Sequence, residues 1–187
     1  MKGVGVHEPL SRPGDVSVGE RIFQDFAERY RQYFPRVFAY VYGRIRDVQA
    51  AEDIASEVFE RAFVKAETLR HEEAFGTWLF TIARNLLISY CRRRNRFGGP
   101  VNSDLVDSLP GEAAPEDSYL EREEVAKIMS HVRRFPRREQ DIIALKFDAE
   151  LTNVQIADIM NLSESNVRVI LCRTLQKLRK LLQEELP

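Results

Sequence analysis

The chain has 187 residues, 44% of them hydrophobic, and a formal net charge of −1, enough for one medium core or two small ones and without the overall positive charge of many nucleic-acid binders. The charges are segregated: residues 84–96 hold five arginines and no acid, whereas residues 97–120 hold Asp104, Asp107, Glu112, Glu116 and Asp117 and no lysine or arginine. Cys91 and Cys172 lack neighbours at ligand or disulfide spacing, and no signal-type or bilayer-spanning apolar run is present, so a soluble cytoplasmic protein without structural metal is expected.

Residues 1–25 mix glycine, proline and charge without period and read as a flexible arm. From Phe26 the pattern sharpens. Tyr30, Tyr33, Phe34, Val37, Phe38, Val41, Tyr42 and Ile45 follow the three-four rhythm of a helix, which overrules the strand propensity of Val, Phe and Tyr here. A second helix repeats the rhythm with Ala51, Ile54, Ala55, Val58, Phe59, Ala62, Phe63 and Ala66. Its outer side carries Glu52, Asp53, Ser56, Glu57 and Glu60 and is acidic.

A short connection, Thr68 to Ala74, leads into the stretch Phe75 to Arg96. There Trp78, Leu79, Ile82, Ala83, Leu86 and Leu87 align on one helical side, which must be buried, and Trp78 is assigned to the core. The other side presents Thr81, Arg84, Asn85, Ser89 and Arg92 and runs on through Arg93, Arg94 and Arg96. Such a surface suits phosphates and base edges. Residues 26–96 are therefore expected to form one small all-helical domain.

Residues 97–118 combine glycine, proline and acids in a linker composition. A second domain, 119–187, opens with helices near Val125–Val132 and from Pro136 to about Phe147. Thr152 and Gln155 then have the spacing of a capping box, Asn161 and Leu162 allow a tight turn, and Ser163 can cap a final helix. That helix is expected to bury Val167, Leu171, Leu175, Leu178 and Leu182 and to show Arg168, Val169, Cys172, Arg173 and Gln176 outward. This is the layout of a helix that enters a major groove: arginine bonds guanine edges or phosphate, and small apolar groups touch thymine methyls. A helical hairpin with a merely solvated basic face is the plainer alternative for such a short motif.

Three segments carry a family resemblance: AEDIASEVFERAF (Ala51 to Phe63), TWLFTIARNLL (Thr77 to Leu87) with its arginine tail, and LTNVQIADIMNLSESNVRVILCRTLQKLRK (Leu151 to Lys180). In that order they resemble the extracytoplasmic-function (ECF) group of the sigma-70 family, two-domain factors that direct bacterial RNA polymerase to promoters. The resemblance implies an all-α fold with a region 2 bundle and a region 4 helix-turn-helix. It also implies that Asp53, Ser56, Glu57 and Phe59 dock on the clamp helices of the polymerase's largest subunit. Many relatives have glutamine at the position of Ser56.

By the same resemblance Arg84, Asn85, Ser89, Arg92 and Arg93 meet the promoter's minus-ten element as melted single strand, and the loop from Leu69 to Phe75 receives an extruded base. Arg168, Val169, Cys172 and Arg173, with Lys146 in support, meet the minus-thirty-five element as duplex. An anti-sigma partner is expected, no cofactor or membrane is implied, and nothing after the last helix suggests a further regulatory domain. Catalysis is not expected: the Glu52, Asp53 and Glu57 cluster lacks the Glu-x-x-His pairs of a carboxylate-bridged metal bundle, since none of His7, His71 and His131 supplies one. The competing class is a stand-alone helix-turn-helix regulator binding paired half-sites as a dimer, in which the acidic helix and the first basic helix would have no task.

Overall fold

Side chains recurring every three to four residues bury one stripe of a helix. The computed structural model, which describes residues 18–65, 74–96 and 116–184, has seven α-helices and no strand among those residues. The first module is α1 (Val18–Ile45), α2 (Val48–Lys65) and α3 (Phe75–Arg96). The second is α4 (Glu116–Val132), α5 (Arg137–Phe147), α6 (Asn153–Met160) and α7 (Glu164–Glu184). Helix α1 starts earlier than its aromatic rhythm announces, so the end of the expected arm is helical, and α4 likewise begins inside the expected linker. Residues 1–17 and 97–115 lie outside the described residues.

Helix α1 carries an aromatic residue every fourth position: Phe26, Tyr30, Phe34, Phe38 and Tyr42. Tyr30 and Phe34 stack with ring centroids 5.0 Å apart, Phe34 and Phe38 at 6.5 Å, and Phe38 and Tyr42 at 5.7 Å. Phe59 of α2 meets three of these rings, at 6.3 Å from Phe26, 4.7 Å from Tyr30 and 6.0 Å from Phe34. Each such pair adds about 0.5–1.5 kcal/mol to the area it buries. The ladder brackets Pro35, which lies inside α1 and lacks the N–H of one helical hydrogen bond, so packing supports the helix where its backbone is weakest.

The turn after α1 is closed by Arg46 in a left-handed conformation (φ 53°), and Asp47 then starts α2 by accepting from the Ala50 N–H at 3.0 Å. Helix α3 buries Phe75, Gly76, Leu79, Phe80, Ala83, Leu86 and Leu87, while Trp78 and Ile82 are only half-buried. Trp78 was expected in the core. Phe80 takes that place, fully buried and edge-on to Tyr40 at 5.8 Å. A Cβ on Gly76 would come within 3.2 Å of the Tyr33 ring, so a larger residue there would make that ring shift.

In the second module Thr174 of α7 is buried, and its hydroxyl lies 3.1 Å from Glu139 of α5 and 2.8 Å from the Ile170 carbonyl. Leu175, expected inside, is 40% exposed. The reason is angular: at 100° per residue, position 174 lies on the Val167–Leu171 meridian, and position 175 falls beyond it. Buried side chains of both modules belong to one contiguous cluster, with α1 against α5 and α3 against α6.

Candidate nucleic-acid and polymerase interface

Three polar faces stand out. On α2, Glu52, Asp53, Ser56 and Glu60 are exposed, and the half-exposed Glu57 holds Arg61 at 2.6 Å one turn on. Asp53 accepts from the Gln49 amide at 3.3 Å and otherwise faces solvent. Phe59 does not share this face. It is 3% exposed beneath the α1 ladder, so it shapes α2 from behind and cannot touch a docked partner in this conformation. Its expected contact role is thus corrected: the period that puts Asp53 and Glu57 outward turns position 59 inward.

On α3, Asn85, Ser89, Arg92 and Arg93 are exposed along one stripe, as expected. Arg84 departs from them. It is half-buried, its Nη2 lies 3.8 Å from Asp141 of α5, and its Nε is buried without a hydrogen-bond acceptor. Leu69 and the loop to residue 73 lie outside the described residues.

On α7, Arg168, Val169, Cys172 and Arg173 are all exposed on one side, and Val169 is apolar surface in the middle of it. The helix is aimed by local chemistry. Thr152 and Gln155 form the capping box, with the Thr152 N–H donating to Gln155 Oε1 at 2.9 Å and the Gln155 N–H to Thr152 Oγ1 at 3.3 Å. Asn161 ends α6 in the left-handed region (φ 53°), which asparagine tolerates. Ser163 Oγ then accepts from the Asn166 N–H at 3.2 Å to open α7. The Lys146 ammonium donates to the Leu151 carbonyl at 3.2 Å and so fastens the loop before α6.

Between the modules lies a polar cluster that the spacing of residues did not reveal. Arg44 of α1 reaches Asp141 Oδ1 at 2.9 Å and donates to Gln140 Oε1 at 2.9 Å. Gln140 is itself anchored, donating to the carbonyls of Arg133 and Phe135. Arg36 donates from Nε to the Ala149 carbonyl at 3.0 Å and stacks over Tyr33 and Phe80. Tyr40 is wholly buried beside Asp141, and burial, then that carboxylate, pushes its phenol well above the ordinary value. Nearby, Asp148 is pushed up to about 6 by burial, against the lowering influence of Arg46. A Cβ on Gly43 would stand 3.1 Å from Asp148 Oδ2, so α1 passes close to this carboxylate.

The faces on α2, α3 and α7 coincide with two matches to known families: Sigma-70 region 2 over residues 29–97 and Sigma-70 region 4 over residues 133–180. The chain belongs to the sigma-70 family. Within that family it is similar to proteins of the ECF group. It is 33% identical over 162 residues to the ECF RNA polymerase sigma factor BldN of Streptomyces coelicolor, covering 86% of this chain and 61% of that one. It is 28% identical over 167 residues to the ECF RNA polymerase sigma factor SigW of Bacillus subtilis, covering 85% and 89%. In fold it resembles the sigma factor RpoE of Bartonella quintana, solved with the anti-sigma factor NepR, at a TM-score of 0.68 and 19% identity over 87% of this chain and 99% of that one. The region 2 match precedes the region 4 match along this chain. Among the described residues no helix is long and apolar enough to cross a membrane.

Proposed function

We propose that the chain is a transcription initiation factor that brings core RNA polymerase to promoters with minus-ten and minus-thirty-five elements. The observation that carries this is the coexistence, on one small helical chain, of a carboxylate face on α2 with two separate DNA-type faces on α3 and α7. Asp53, Ser56 and Glu57 suit a basic or amide-rich helical partner on the polymerase clamp. Asn85, Ser89, Arg92 and Arg93 suit a melted strand, where guanidinium groups hold phosphate and amide and hydroxyl groups read base edges. Arg168, Val169, Cys172 and Arg173 suit duplex in the major groove, with both hydrogen-bonding and methyl-contacting groups on one side.

The factor works by binding, without chemistry of its own, and offsets part of the cost of opening the duplex, a few kcal/mol for one or two flipped bases. A cytoplasmic location and an anti-sigma partner follow from the same reading. The test is run-off transcription with purified core polymerase on a genomic fragment library, alongside gel filtration of the mixture. Co-elution with the polymerase and initiation at a shared two-element sequence are expected. A chain that binds paired half-sites as a dimer and ignores the polymerase would overturn the proposal.

A further inference from the structure

The closed arrangement of the two modules is at odds with the geometry of a two-element promoter. Elements centred about twenty-five base pairs apart lie roughly 85 Å from one another along B-DNA. Here α3 and α6 run within 8 Å of each other, and α7 packs on α6. Helices α3 and α7 are each about 30 Å long, so their outward faces cannot reach elements that far apart while their neighbours touch. Yet the covalent chain permits separation: about twenty links join Arg96 to Glu116, reaching roughly 70 Å when extended, with no helix unwound.

Beside the apolar cluster that the two modules share, a charge cluster around one carboxylate ties them together. Asp141 is only 13% exposed and is gripped from two helices of the first module, by Arg44 at 2.9 Å and by Arg84 at 3.8 Å. Arg36, on the Ala149 carbonyl, adds a second tie. All three arginines come from the first module and all their acceptors from the second. Arg84, moreover, sits on the helix whose neighbouring side chains face outward for nucleic acid, so the tie withdraws a cation from that surface.

We infer that Asp141 is an interdomain latch: by holding Arg44 and Arg84 together it keeps the free factor closed, and its release both lets the modules separate and returns Arg84 to the nucleic-acid face. The inference rests on the proposed promoter function, but its first test does not. Small-angle X-ray scattering of the full chain should give a radius of gyration near the roughly 16 Å of a globular body of this length. Asp141→Arg, which sets three guanidinium groups together, should raise that radius by several ångströms with helix content by circular dichroism unchanged. An unchanged radius in a fully helical variant would overturn the latch.

The second test locks the interface. Gly43→Cys with Asp148→Cys, in a chain whose Cys91 and Cys172 are serine, joins α1 to the loop after α5 under oxidation and frees it under dithiothreitol. The oxidised chain should support no run-off transcription with core polymerase and the reduced form should regain it. Equal transcription in both states would refute the need to open. If Asp141→Arg loses its helices, this arm decides. If even the parent chain directs no initiation, the promoter function fails, and scattering alone judges the latch.

Discussion

In the helix-turn-helix, the bonds that shape the turn and start the recognition helix are local: Thr152 with Gln155, the left-handed Asn161, and Ser163 with Asn166 all lie within a few residues of one another, and Thr174 and Lys177 then tie α7 to Glu139 of the same module. In the first module the opposite holds. Phe59 is positioned by rings from another helix, and Arg84 by a carboxylate in the other module. One face is fixed within its own module and should behave the same whether or not the other module is packed against it. The other depends on the state of the whole chain, which makes it the natural place for regulation.

The sharpest way to break this comparison is on α2, where a buried and an exposed residue of the same helix have opposite duties. Phe59→Ala removes the ring that three aromatics of α1 rest on and should cost about 3–5 kcal/mol of folding stability. Denaturant unfolding would show it as a lowered midpoint. Asp53→Arg should change stability by less than about 0.5 kcal/mol, yet lower affinity for core polymerase at least tenfold, about 1.4 kcal/mol, as read by fluorescence anisotropy. If the two substitutions acted alike on either measurement, the division of α2 into a structural and a docking face would be wrong.

The same division explains what the bare chain disclosed. The order of the helices and the inner face of α2 from Ala51 to Ala62 follow from a period of 3.6, although Phe63, read on the same face, is 49% exposed, and the turn chemistry of residues 152–166 is legible because its partners are sequence neighbours. Asn85, Ser89, Arg168, Val169, Cys172 and Arg173 were recognisable as exposed for the same reason. The contacts of Phe59, Lys146 and Arg84 were not. Each is decided by a partner outside its own turn: the α1 rings, the Leu151 carbonyl and Asp141. The signal that would have raised Asp141 is Arg44, which lies on the stripe of Val37, Tyr40 and Val41 and so needs an acceptor somewhere. Sequence spacing alone does not say where.

On the self-contained side, Arg173→Ala should weaken transcription from a two-element promoter by about 1–3 kcal/mol, roughly five- to 150-fold. Its side chain is exposed, so thermal stability should not change. A loss of output matched by a loss of stability would mean that Arg173 is structural and that α7 is less autonomous than its local bonds imply.

At the junction, Asp148 makes the contrast sensitive to pH. Its carboxyl is pushed up to about 6, so the folded chain binds that proton more tightly than the unfolded chain does. Stability from this group therefore increases as pH falls from above 6 and is lost as pH rises through that value. At neutral pH the buried charge costs on the order of 1–2 kcal/mol after allowance for solvent screening. Asp148→Asn should raise the melting temperature at pH 7.5, and the difference from the parent should shrink toward nothing near pH 4. A constant difference across that range would show that the substitution acts through packing against Gly43 instead.

The smallest effects distinguish two caps in the helix-turn-helix. Thr152→Ala removes the acceptor for the Gln155 N–H, and Ser163→Ala the acceptor for the Asn166 N–H; each should cost about 1 kcal/mol of stability. They should differ at the DNA. The Thr152 cap starts α6, whose inner face packs on α7, and well below the melting temperature its loss leaves the recognition stripe in place. The Ser163 cap starts α7 itself, one turn before Arg168, so its loss frays the end of the helix that would enter the groove. Binding of the full chain with core polymerase to a two-element promoter should therefore weaken for Ser163→Ala and not for Thr152→Ala, although both melt alike. Equal binding by the two variants would mean that the first turn of α7 is ordered by contact with DNA and that its cap serves only the free protein.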